Sequence, residues 1–220
     1  MRSNYNSHYL NKYSPAQFLR KFFIISAFNF KLMKEIIAKA KEWALEEIRK
    51  NGTPAAGHFE ISNLKGQELA KKLNADKEIV MLGTILMDIK LGECLKEGKL
   101  PEHITRGVEA ARKFLASYNL DKKTTEKIIN SITAHHGTVK YTCKEAEICA
   151  NADCYRFLNS KGFFIYCNLL GKRTDDLIEY LKQLEYKVEE KWKVLSLDLC
   201  KEELEPHYKI IKEIIKKARE

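Results

Sequence analysis

Apolar residues recur along this chain at helical spacing, with no alternating stretch of the length a strand needs. Between Met33 and Lys50 they fall at Met33, Ile36, Ile37, Ala40, Trp43, Ala44 and Ile48, one stripe of 3.6-residue period. Asn51-Gly52 is a stop signal for that helix, because glycine accepts the left-handed backbone of a helix end. Ile61, Leu64, Leu69 and Leu73 predict a second helix over 61–73. A third, over 77–91, carries Ile79, Val80, Leu82, Ile85, Leu86 and Ile89 on more than one face, which predicts a central, buried element. Pro101 suits the first turn of a helix striped by Ile104, Val108, Ala111 and Leu115. Asp121 is placed to cap the next helix, which carries Ile128, Ile129 and Ile132 toward His135. Thr142 and Glu145 have capping-box spacing ahead of a helix over 143–158. The stretch 162–171 is apolar, aromatic and ambiguous. The stretches 174–195 and 205–218 read as long helices with charged outer faces.

The pattern predicts an all-α fold, a compact bundle of seven to nine helices without internal repeats. Residues 1–32 form an N-terminal extension or extra helix. Residues 33–220 form a single domain, with most candidate chemistry between 53 and 158 and the C-terminal helices over 173–220.

Charge changes the picture at the N-terminus. Of a formal +9, residues 1–32 hold +5, from Arg2, Lys12, Arg20, Lys21 and Lys31 with no acid. The body is only mildly basic, so nucleic acid is not expected as a partner. No run reaches the length of a membrane-spanning helix. The apolar stretch Phe22–Phe28 resembles a weak signal segment but lacks a clear cleavage site. The six cysteines show no CxxC or zinc-finger spacing, which predicts buried free thiols and a cytoplasmic setting. Phe18, Phe22, Phe23, Phe28 and Phe30 in the leader are compatible with packing against a second copy, a homodimer.

Two carboxylates stand out. Asp88 lies between Met87 and Ile89 in the most apolar predicted helix, and Asp153 lies in Asn151-Ala152-Asp153-Cys154. A buried ionised carboxylate is costly unless it is paired or holds a cation. Asp88 therefore either faces a basic partner or solvent, or is a metal ligand. His58, His103, His135 and His136 could join such a cluster, since a helical bundle brings distant turns together. His8 lies in the leader and is uninformative, and His207, near a charged C-terminal helix, is expected at the surface.

The segments Gly57-His58-Phe59-Glu60-Ile61-Ser62-Asn63-Leu64-Lys65-Gly66, Thr84-Ile85-Leu86-Met87-Asp88-Ile89, Glu102-His103, Ile132-Thr133-Ala134-His135-His136 and Asn151-Ala152-Asp153 occur in order at suitable intervals. Together they resemble the HD superfamily of metal-dependent phosphohydrolases, in the branch whose first helix opens Gly-His-Asp-x-x-His-x-x-Arg-Val. The resemblance covers about half the chain. It implies a phosphohydrolase acting on a nucleotide or other small phosphate ester. Carried over by position, the principal metal site is Ser62, Met87, Asp88 and Asp153, in which both family histidines are replaced. Asp88 and Asp153 are the implied metal ligands, for Mg, Mn or Fe. His103 and His135 would act with them on the phosphate. His58, Lys65, His103, His135 and His136 would hold the anionic substrate. A serine hydroxyl and a thioether are poor ligands, so the resemblance predicts doubtful metal binding and a degenerate active site. Two alternatives stay open: a non-catalytic module that binds a nucleotide or another anion, and a structural protein that binds a partner.

Overall fold

In the computed structural model, the backbone is described from residue 15 to 220 and side chains from residue 31 onward. Residues 1–14 of the expected leader, with His8, lie outside the described residues, as do the five leader phenylalanine side chains. Ten α-helices follow: α1 (Pro15–Asn51), α2 (Ala56–Lys72), α3 (Lys77–Leu86), α4 (Leu91–Lys96), α5 (His103–Ala116), α6 (Lys122–Thr133), α7 (Lys144–Leu158), α8 (Ser160–Gly171), α9 (Leu177–Val194) and α10 (Asp198–Lys217). A 3-10 turn, Leu100–Glu102, joins α4 to α5 and takes Pro101 in its first positions. No strand occurs among the described residues. The bundle is all-α, as expected, with more helices than expected for two reasons. The helix predicted over 77–91 ends at Leu86 and restarts at Leu91, and the ambiguous 162–171 stretch is helical.

The first break matters most, because it moves Asp88 out of a helix interior into the turn between α3 and α4. α1 is continuous through Met33 and buries Ile36, Ala40 and Ala44, one turn apart, before Gly52 stops it at φ +71°. Asp121 caps α6 as expected, accepting the Thr124 backbone N–H. The Thr142–Glu145 capping box does not form. Cys143 is the cap residue of α7 without a side-chain bond, while Glu145 accepts the Asp76 N–H and pairs with Lys127.

α7 is the axis of the fold. It packs against α2, α3, α6, α8, α9 and α10, and thirteen of its fifteen residues are buried. A helix enclosed on all sides is normally apolar all round, yet α7 carries Asp153 and Arg156. On one side, α1, α3, α5 and α6 enclose a core of Ile36, Leu82, Leu86, Leu115 and Ile128. On the other, α2, α9 and α10 close over Leu69, Leu158, Leu184 and Leu204. All six cysteines are free, and four of them are buried. No helix among the described residues is long and apolar enough to cross a membrane.

Candidate metal centre and its pocket

A cavity of about 500 Å³ opens between the α3–α4 turn, the start of α5, the end of α6, α7, α8 and α9. Its buried floor holds Asp88, His135, Asp153, Arg156 and Lys191. Leu91, Leu95 and Leu100 line it with apolar side chains, Phe157, Tyr166 and Tyr186 with aromatic ones, and Arg173, Lys182 and Lys187 with positive charge, alongside Glu179. The volume is in the range of small-ligand sites.

His103, His135 and His136 meet in this cavity. His103 comes from the first turn of α5, and the other two come from the turn that follows α6. Their candidate ligand atoms all lie within 4.8 Å of one another. The ring centroids of His135 and His136 are 4.3 Å apart, and that of His103 is 6.2 and 5.4 Å from theirs.

Each ring is oriented by a bond at Nδ1. His103 Nδ1 donates to the Leu100 carbonyl and His135 Nδ1 to the Ile132 carbonyl, each at 2.7 Å. His136 Nδ1 donates to Glu190 Oε1 at 2.9 Å. With the proton on Nδ1, every Nε2 carries a lone pair. The Nε2 atoms of His103 and His135 are buried without a hydrogen-bond partner. Burial lowers the pKa of His103, and it pushes that of His136 down to about 4 against the opposing Glu190 bond. An imidazole with one nitrogen fixed by a carbonyl or carboxylate and the other free is what a histidine metal ligand looks like. An all-imidazole set suits Fe or Zn better than the oxygen-seeking Mg expected among the alternatives.

This cluster corrects the expectation of a degenerate site with doubtful metal binding. That expectation rested on Ser62 and Met87 in place of histidines. Both are buried, and the Ser62 hydroxyl donates to the His58 and Phe59 carbonyls. The intact histidine cluster lies elsewhere, on residues the sequence had marked for substrate.

Asp88 and Asp153 converge on Arg156. Its Nη1 lies 2.5 Å from Asp88 Oδ2 and 2.7 Å from Asp153 Oδ1. Lys191 Nζ lies 2.7 Å from Asp153 Oδ2, with only 1% of its side chain exposed. His135 Nε2 is 3.5 Å from Asp88 Oδ1. Burial alone would raise the Asp88 carboxyl, but the Arg156 guanidinium outweighs it and holds the group well below its usual range. Burial is likewise outweighed at Asp153, by Lys191 and Arg156. Lys191 also stands 3.3 Å from Glu190, which pairs with Lys187 at 2.5 Å.

His58 borders the cavity but is not one of the three clustered histidines. Its Nε2 donates to the Gly162 carbonyl at 2.8 Å, and its ring packs on Phe157. Lys65 does not reach the cavity. It pairs with Glu203 and Glu68 and lies over the Tyr155 ring. Arg156, Lys187, Glu190 and Lys191 were not singled out from the sequence. Their spacing was the available signal: Arg156 is three residues past Asp153, and Lys187, Glu190 and Lys191 share one helix face.

No protein-family model matches the chain. A relative named ribonuclease Y, from Finegoldia magna, is 30% identical over 127 residues, which are 58% of this chain and 21% of that protein. The match therefore covers about a fifth of that relative's length. A crystal structure described as a predicted HD superfamily hydrolase, from an uncultured Thermotogales bacterium, shares the fold. It has a TM-score of 0.57 and 16% identity, with 84% of this chain and 89% of that one covered. The fold is shared with that HD-superfamily structure, and the three histidines form a cluster that could hold a metal ion. Likeness to a ribonuclease overturns the expectation that nucleic acid is not a partner. The overall charge balance does not show how charge is distributed, and Arg173, Lys182 and Lys187 are gathered at one cavity.

Proposed function

We propose that the protein is a metal-dependent phosphohydrolase that cleaves a phosphodiester of an RNA strand. The observation that carries the reading is the pair of buried, unpartnered Nε2 atoms of His103 and His135, beside His136, at the base of a cation-lined cavity. The 127-residue likeness to a protein named as a ribonuclease supports RNA as the substrate.

His103, His135 and His136 would hold a divalent ion, which when bound supplies Lewis-acid polarisation of a phosphoryl oxygen and lowers the pKa of a water. Lys187, Lys182 and Arg173 line the approach and attract the anionic strand. Tyr186, 71% exposed, offers a ring on which a base can stack at the mouth. Leu91, Leu95 and Leu100 exclude water from one side of the bound nucleotide. Arg156 and Lys191 keep the Asp88 and Asp153 carboxylates paired, so the floor does not repel a phosphate.

The test uses untagged protein purified without chelators, reconstituted with Mn²⁺ or Fe²⁺, and offered end-labelled single-stranded RNA. Cleavage is expected, with His103→Ala and His135→Ala losing both metal and turnover. Turnover that survives both substitutions sinks the reading, as does a metal-loaded protein that leaves RNA intact.

A further inference from the structure

Two buried carboxylates that converge on one point need a cation there. In this chain, that point is taken by a side chain. A single guanidinium nitrogen, Arg156 Nη1, bonds both Asp88 and Asp153, and Lys191 holds the remaining Asp153 oxygen. The two positive charges balance the two negative ones. All four side chains are buried, with at most 8% exposed. An ion entering between the carboxylates would have to expel Arg156, whose Nε is already buried without a partner and whose other face lies against Phe157.

The geometry assigns to Arg156 and Lys191 the role of a built-in cation: they fill the carboxylate seat, and the protein takes one divalent ion, at the histidine cluster. This inference rests on reading His103, His135 and His136 as a metal site. It divides the cavity floor into two parts. The imidazole part exchanges its ion with solvent, and the carboxylate part is permanently neutralised. It also gives Lys191, a charged residue inside a helix bundle, a reason to be there. Arg156 and Lys191 are positioning residues here, acting through the two aspartates.

The experiment is a Mn²⁺ titration of the full-length protein, read by elemental analysis after desalting and by electron paramagnetic resonance. Wild type is expected to bind one ion per chain, magnetically isolated, and to lose it in His103→Ala. Asp88→Asn and Asp153→Asn should leave that ion in place. The Arg156→Met/Lys191→Met double variant, prepared in Mn²⁺, should bind two ions. The charge-conserving Arg156→Lys should bind one. Two ions in wild type overturn the inference, as does a single ion that survives His103→Ala but is lost in Asp88→Asn. In both cases the protein remains a metal-binding one. No bound ion overturns this inference and the proposed metal dependence together. If the double variant does not fold, the wild-type stoichiometry and the single histidine and aspartate variants decide the matter.

Discussion

Glu190 accepts the Nδ1 proton of His136 at 2.9 Å, and that bond fixes which nitrogen of the ring is free to bind a metal. Glu190 keeps its charge because Lys191 and Lys187 outweigh its burial and, with the His136 bond, hold its carboxyl far below the usual range. A carboxylate behind a ligating imidazole orients the ring and raises its basicity, and losing such a partner typically lowers metal affinity about 10- to 100-fold. Glu190→Gln keeps an acceptor but removes the charge. Its Mn²⁺ affinity, measured by titration calorimetry, should fall by about that factor while the fold persists by circular dichroism. An unchanged dissociation constant would show that Glu190 does not act through His136.

His58 makes stability depend on pH. It is 1% exposed, and burial, assisted by the nearby Arg156 charge, pushes its pKa down to about 4 despite the bond to Gly162. The unfolded chain takes up the proton near pH 6.5, while the folded chain resists it until about pH 4. The neutral ring therefore contributes stability that is complete above pH 6.5 and is lost as pH falls toward 4. Between pH 7 and pH 5 the loss is about 2 kcal/mol. His58→Gln can still donate to the Gly162 carbonyl and has no such titration. Urea denaturation at both values should show wild type losing about 2 kcal/mol more than the variant. Parallel losses in the two proteins would contradict this assignment.

The helical fold was legible because most of its helices carry a one-sided apolar stripe, as the residues from Met33 to Ile48 do. The break after Leu86 was not legible, because Met87 and Ile89 continue the apolar run through a turn. The histidines could be marked as candidates, but their meeting depends on how α5 packs beside the end of α6, a relation that no local spacing encodes. Treating Ser62 and Met87 as the measure of metal binding looked at positions in a motif. The lone pairs set free at His103 and His135 appear only when their Nδ1 partners, two backbone carbonyls, are in view. Lys191 was missed for a related reason. On a helix with a charged outer face, a buried lysine and a solvated one have the same letter.

Lys65 separates motif position from function. Its ammonium is engaged by Glu203 at 2.8 Å and Glu68 at 2.9 Å, over the Tyr155 ring, and it does not line the cavity. Glu68 and Glu203 are each more than 40% exposed at the side chain, so the pairs are worth about 1 kcal/mol or less. Lys65→Ala should leave Mn²⁺ affinity and RNA cleavage at wild-type levels, with a small drop in melting temperature. A large rise in KM would place Lys65 in the substrate path and require a different route for the strand.

Gly162 is the point where backbone geometry supports both His58 and the end of α7. A Cβ placed on it would lie 2.6 Å from the carbonyl oxygens of both Tyr155 and Arg156. Those are main-chain atoms of α7, so they cannot rotate away as a side chain would. The start of α8 would have to withdraw, lengthening the bond from His58 Nε2 to the Gly162 carbonyl and disturbing the helix end that carries Arg156. Gly162→Ala should therefore destabilise the protein by about 1–3 kcal/mol, the usual scale of an overpacked site. The gain in helix propensity, about 1 kcal/mol, opposes this and is the smaller effect. Gly171, at the other end of the same helix, has nothing within 4 Å of a Cβ position and serves as the comparison. Gly171→Ala should be neutral or stabilising by up to about 1 kcal/mol. Thermal and urea unfolding of the two variants side by side measure the difference. Equal stabilities would mean that α8 shifts freely along α7, and that the His58 bond does not depend on their close approach.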